Sequence, residues 1–307
     1  MLTSFFGNSR PINYVVLTVV LVGVLGVYQW MVIPPEMTPS QLAVMLLQWL
    51  VLAFTVFLFD FLLRKNTLTK SNTFAGLILV SFYISFPNLI RDTSILWAQL
   101  FVLLAMRRIF SLQSPHRTRK KIVDAAIWIT LASLFYFWAI LFLLVLYVAL
   151  VKRANVHYKM LLMPPVGVAA VLVITTAIQY LVYDVLPWFI GWNPAVDSSL
   201  AAYNNITWVL PAGVLLVLLI WALGYRSIRM SKVSKKELSN YQLVHHWMIV
   251  ALGTVILAGA RTGTEMLLLV PPVAIGITTY IERIDERWFR ELLLGLLVLL
   301  PIARYFF

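Results

Sequence analysis

A chain of 307 residues that is 62% hydrophobic and 12% charged, with a mean hydropathy of +0.90, has more apolar surface than a soluble fold of its size can bury. Soluble domains carry about 25% charged and about 45–50% apolar residues, so lipid is the expected solvent. The net charge of +12 falls in short, scattered loops without a stacking platform, which sets nucleic acid aside as a partner and leaves an orientation signal, while the lack of cysteine removes disulfides, thiol catalysis and thiolate metal sites.

The first apolar run is Pro11 to Ile33. It is too long for a signal-peptide core of about 7–15 residues, and no small-residue cleavage site follows. It is expected to stay as a helix, with Pro11 at the start, where proline forfeits no hydrogen bond. Pro34 to Ser40 is a turn, and Gln41 to Leu63 is the second helix. Arg64, Lys65 and Lys70 make the next loop positive. Thr73 to Phe86 is the third helix, stopped by Pro87. A polar knot follows over Ser85 to Ser94, with Arg91 and Asp92 as adjacent opposite charges. Ile95 to Ser111 is the fourth helix and runs into the most basic stretch, which holds Arg107, Arg108, Arg117, Arg119, Lys120 and Lys121.

Ile122 to Val151 is about 30 residues long, between the one crossing that needs about 20 and the two that need about 40. Both flanks are basic, Lys120–Lys121 and Lys152–Arg153, so a single crossing would place one of them outside, against the positive-inside rule. Two short helices turning near Phe135–Phe137 are expected, in preference to one long tilted helix. Tyr158 to Tyr183 is the next helix. Asp184 to Asn205 is the longest outer loop, with Trp188 and Trp192 suited to the headgroup level. Ile206 to Gly224 crosses back to a basic loop, Tyr225 to His245, and His246 to Ala260 crosses out. A second polar knot, Arg261-Thr262-Gly263-Thr264-Glu265, precedes Met266 to Ile281. A mixed-charge loop and a last short helix from Leu292, holding Arg304, end the chain. The reading is an all-α polytopic transmembrane bundle of about eleven segments, a single domain over 1–307 without repeats.

With the N-terminus in the cytoplasm and alternating crossings, all lysines fall inside, and only Arg91, Arg261 and Arg304 are left outside. The C-terminus is then periplasmic. The outer acids are Glu36, Asp92, Asp184, Asp197 and Glu265. Arg91 and Arg261 each lie within about a turn of a carboxylate, and either can be a structural ion pair. Arg304 sits in the last apolar run, from which a long side chain can snorkel. The functional alternative is an outward cavity. In it Arg91, Arg261 and Arg304 grip a ligand, because guanidinium forks match phosphate oxygens. Asp92, Glu265 and Glu36 are its candidate catalytic acids, as general base or beside a divalent metal. No other cofactor is expected. The four histidines end apolar runs, and neighbours such as His245 and His246 point to different sides of a helix, which makes a poor chelate.

Two resemblances add expectations. The opening Thr3-Ser4-Phe5-Phe6-Gly7-Asn8-Ser9-Arg10-Pro11-Ile12-Asn13-Tyr14 resembles the start of an uncharacterised polytopic inner-membrane family of Bacteroidota, which implies no activity. Ala98 to Arg108, followed by Asp124 to Leu134, resembles the middle of integral-membrane glycosyltransferases that use polyprenyl-linked sugars. Arg261 through Pro271–Pro272 is similar to their late arginine-and-proline segment. That resemblance implies catalytic acids in outer loops. The chain departs from it in a seven-residue first outer loop carrying only Glu36, where those enzymes have an acidic pair in a long loop.

Three functions follow as expectations. One is binding or transfer of a polyprenyl-phosphate-linked sugar or lipid phosphate at the outer face of a bacterial inner membrane. The second is a non-enzymatic assembly or scaffold subunit of a cell-envelope complex, partnered by other envelope membrane proteins. The third, a transporter or flippase, ranks last because the ionisable residues lie at helix ends rather than mid-membrane.

Overall fold

The structure is a computed structural model. It describes residues 2–32, 38–90, 92–114, 116–153, 157–184, 192, 194, 196, 206–259 and 262–303. Among the described residues the regular structure is all helical, without strands. The helices are α1 (Leu2–Phe6), α2 (Pro11–Val32), α3 (Pro39–Lys65), α4 (Phe74–Ser85), α5 (Thr93–Phe110), α6 (Thr118–Phe135), α7 (Phe142–Val151), α8 (Tyr158–Leu161), α9 (Met163–Tyr183), α10 (Ile206–Arg229), α11 (Lys235–Ile256), α12 (Val270–Ile281) and α13 (Arg287–Ala303). Among the described residues, six spans are long and apolar enough to cross a membrane, where about eleven segments were expected: Pro11–Met31, Pro39–Lys65, Thr93–Gln113, Tyr158–Tyr183, Thr207–Lys232 and Thr264–Ile281.

Local chemistry explains several boundaries. Thr38 and Gln41 form a reciprocal capping box at the start of α3, followed by Pro39, and Arg64 and Lys65 complement the dipole at its end. The apolar run 122–151 breaks at Tyr136, which is extended between α6 and a 3-10 turn over Phe137–Leu141. The Tyr136 hydroxyl donates to Thr254 O of α11 at 2.6 Å, so the break is anchored to a neighbouring helix. The basic segment 225–245 is mostly helix. α10 continues to Arg229 and α11 starts at Lys235, leaving a short turn where a long loop was expected. Arg, Lys, Gln and Leu are good helix formers, so a helix entering this segment has no reason to stop.

The core is built around two short helices. Every residue of α4 is buried, and so is nearly all of α12. A helix of this length rises only about 18 Å, well short of a hydrocarbon core of about 30 Å. Apolar on every side, both sit inside a sleeve of longer helices. A 3-10 turn over Thr264–Leu269 extends α12, and another over Pro87–Ile90 extends α4. α13 packs on α4 and contains Pro301. That proline has no N–H for the carbonyl of Leu297, four residues earlier. Ser81 Oγ of α4 donates to Leu297 O instead, so a side chain on one helix completes the ladder of another.

The loops divide between two ends. At the basic end, Asn240 Nδ2 donates to Asn66 O at 2.9 Å, and Glu282 accepts from Lys70 N at 2.7 Å and from Asn72 Nδ2 at 2.5 Å. These bonds tie together the loops assigned by charge to the cytoplasm. Asp124 pairs with Arg108 at 3.1 Å and Asp60 with Arg64 at 2.7 Å, so both acids are held by neighbouring arginines near that end.

Candidate functional site

The two polar knots meet at the opposite end. Asp92 precedes α5 in the N-cap position, yet its side chain makes no capping bond to that helix. Its Oδ2 accepts instead from Thr264 Oγ1 at 2.8 Å and from Thr262 Oγ1 at 3.3 Å. The two threonine hydroxyls lie 2.6 Å apart, and Thr262 Oγ1 is 3.4 Å from Glu265 Oε2. Each hydroxyl has a single proton. The short distances are satisfied when Thr264 donates to Asp92 and Thr262 donates to Thr264. The longer contacts are alternative settings of the Thr262 proton. Asp92 and Glu265 thus belong to one hydrogen-bond network.

Glycine makes this approach possible. Gly263 has φ +82°, in the left-handed region, and Trp208 lies 2.7 Å from the position a Cβ would take. Any side chain there would be strained and would strike the indole. Trp208 in turn stacks on Phe86, with ring centroids 6.1 Å apart. An aromatic wall from α10 and the end of α4 therefore holds the second knot against the first. Glu265 is 1% exposed and Thr264 fully buried. A carboxylate so enclosed is costly without hydrogen bonds or a counter-charge, so the cluster runs from the exposed Thr262 and half-buried Asp92 to a buried floor at Thr264 and Glu265.

A polar thread leads inward. Gln99 lies seven residues after Asp92, on the same face of α5. Its side-chain amide and the Tyr83 hydroxyl of α4 are both buried and face each other across the two helices. Beside α4, between α2 and α13, is an apolar cavity of about 330 Å³, lined by Leu17, Val24, Ser81, Ile84, Val298 and Ile302 among others.

Of the residues singled out in the sequence, Asp92 and Glu265 are in this cluster. Arg91, Arg261, Arg304 and Glu36 lie outside the described residues, as does Asp197. Asp184 ends α9 with a left-handed φ of 53°. Trp192 donates from Nε1 to Ser133 O at 3.1 Å, a packing role. Thr262 and Thr264 were not singled out, although both stand in the second knot. Gln99 was detectable as a lone amide in an apolar run.

No curated protein and no solved structure matches this chain. The sequence model of a family of unknown function (DUF6427) matches residues 9–307, nearly the whole chain, and the protein belongs to that family.

Proposed function

We propose that this chain is a multi-pass protein of a bacterial inner membrane, with its N-terminus in the cytoplasm, that binds a lipid phosphate at its outward end. A polyprenyl-phosphate-linked sugar is the ligand that best fits. The observation that carries this reading is the Thr264–Asp92 bond at 2.8 Å, which joins two knots 172 residues apart into one acidic cluster. The apolar cavity supports it with a wall for a lipid chain. Ser81 and Ile84, which line that cavity, lie on the last turns of α4, whose end leads through Pro87–Ile90 to Asp92.

Arg91 and Arg261 neighbour Asp92 and Thr262 in the sequence, and Arg304 closely follows the cavity residue Ile302. In this proposal they grip the phosphate oxygens. Asp92 and Glu265, with Glu36, either share a divalent metal with the phosphate or accept a proton from an acceptor hydroxyl.

Native mass spectrometry of the purified full chain tests the binding. A polyprenyl-phosphate species is expected on the wild type and lost from the R91A/R261A and D92N/E265Q variants. The same variants should abolish surface-glycan assembly at unchanged protein level. Equal lipid retention in all proteins, or normal glycan with both variants, overturns the proposal.

A second reading, a non-enzymatic assembly subunit, is favoured by α9. Only Pro164, Gly167 and Val171 of that helix are buried, so a wide apolar face is open to lipid or to a partner helix. A stoichiometric partner retained in mild detergent would support it.

A further inference from the structure

A second polar cavity, of about 550 Å³, opens at the basic end, remote from the cluster described above. It is lined by the loop after α3, the end of α10, the start of α11 and the end of α12. Its volume is in the range of small-molecule sites, about 300–1,000 Å³. Its distinguishing residue is Arg226, among the described residues the only charged one of the largest fully buried side chains, at 1% exposure.

The guanidinium is held firmly but not neutralised. It lies over the Tyr241 ring, 3.7 Å from the centroid. Nη2 donates to Tyr241 O at 2.7 Å and Nη1 to Thr279 Oγ1 at 3.3 Å. Both acceptors are uncharged, and among the described residues no carboxylate forms an ion pair with it. Arg226 Nε is buried without a partner, and so is the Tyr241 hydroxyl. Arginine does not shed its proton. A buried guanidinium with an open N–H and no counter-charge therefore calls for an anion from outside the chain. Two acids line the cavity: Glu282 is already occupied by Lys70 N and Asn72 Nδ2, and Glu237 is exposed in the first turn of α11; Lys70 and Arg283 add two positive charges to that of Arg226.

We propose that this cavity binds a phosphate group, with the Arg226 guanidinium as its anchor and the Tyr241 hydroxyl as a second donor. The phosphate comes either from an anionic lipid headgroup of the adjoining leaflet or from a soluble phosphate ester. The site is independent of the outward cluster, so the two stand or fall separately.

The test uses the full chain in phosphatidylcholine nanodiscs and follows thermal unfolding, since a ligand that binds the native state raises the midpoint. Added inorganic phosphate is one arm, and nanodiscs containing phosphatidic acid are the other. A rise with free phosphate assigns a soluble ligand, and a rise only with phosphatidic acid assigns a headgroup. Arg226→Met should weaken the response more than tenfold while folding at least as well without ligand, because it removes an unpaired buried charge. Tyr241→Phe, which keeps the ring, should weaken it several-fold, and every comparison is made in a D92N/E265Q background, so that lipid phosphate held at the outward cluster does not contribute. No rise in either arm, or an undiminished rise in Arg226→Met and Tyr241→Phe, overturns the proposal.

Discussion

The bond from Ser81 to Leu297 O makes a prediction that a double-mutant cycle can settle. In Ser81→Ala, the carbonyl of Leu297 loses its donor. Pro301 cannot replace it, and Ser81 and Leu297 are both buried, at 4% and 5% exposure. Leaving one buried acceptor unmade costs about 1–3 kcal/mol in proteins generally. Interhelical hydrogen bonds measured in membranes average about 0.6 kcal/mol and reach about 1.7 kcal/mol. A loss of about 1–1.5 kcal/mol is expected from these ranges. In a Pro301→Ala background the new N–H reaches Leu297 O along the helix, so the same Ser81→Ala change should cost only a few tenths of a kcal/mol. The coupling energy, about 1 kcal/mol, isolates the compensation from any general effect of either substitution.

Unfolding in mixed micelles, followed by the fluorescence of the 11 tryptophans, reads all four proteins. An equal cost of Ser81→Ala with and without Pro301 would refute the compensation and leave the serine as an ordinary packing residue. Ser81 also lines the apolar cavity. Loss of its anchorage should therefore loosen α13 against α4, and lipid retention should be measured on the same samples.

Three further outcomes follow. A Cβ on Gly167 would lie 2.8 Å from Ala126 Cβ and 2.9 Å from Val123 O, both rigid, so Gly167→Ala should cost about 1–2 kcal/mol after allowing for the better helix propensity of alanine; Gly213→Ala, with nothing within 4 Å, should be neutral or stabilising in the same assay. Burial raises the Glu282 pKa above its ordinary value of 4.5, opposed by the bonds from Asn72 and Lys70. The folded chain then holds this proton more tightly than the unfolded one, so stability should fall as pH rises from 4.5 through the raised pKa; Glu282→Gln, which keeps a carbonyl acceptor, should flatten that slope, and an unchanged slope would refute the assignment. A reporter active only in the cytoplasm should be silent when fused after Phe307 and active when inserted after Lys232; activity at Phe307 would overturn the orientation.

Much of the helical layout was legible because each apolar run is also a helix. The break near Tyr136 could be argued from length and flanking charge alone, since 30 residues between basic flanks do not suit one crossing. Burial was not legible. α4 has no exposed residue, whereas α9 buries only three, yet both are strongly apolar. Lipid and protein interior make the same demand on a side chain, so hydropathy cannot tell a central helix from a peripheral one. Where helices end in water is equally hidden. The charged residues of the loop expected over 225–245 are also good helix formers, so α10 continues to Arg229 and α11 already starts at Lys235.

The same physics explains which site residues could be found. Asp92 and Glu265 stood out because acids are rare between apolar runs, and rarity in lipid is a functional signal. Their connection was not readable, because it passes through Thr262 and Thr264, common residues whose importance depends on Gly263 turning with φ +82° against Trp208. Arg226 was missed for the opposite reason. As one basic residue of the loop expected over Tyr225 to His245, it reads as one more orientation charge, and its neighbours in sequence do not distinguish it from Arg229. Its burial is made by Thr279, 53 residues away, and by Tyr241 on the next helix. Charge counting therefore locates the side of the membrane on which an arginine belongs. Whether that arginine faces headgroups or a closed cavity depends on packing between helices, and at Arg226 the packing leaves a guanidinium that no side chain of the described residues neutralises.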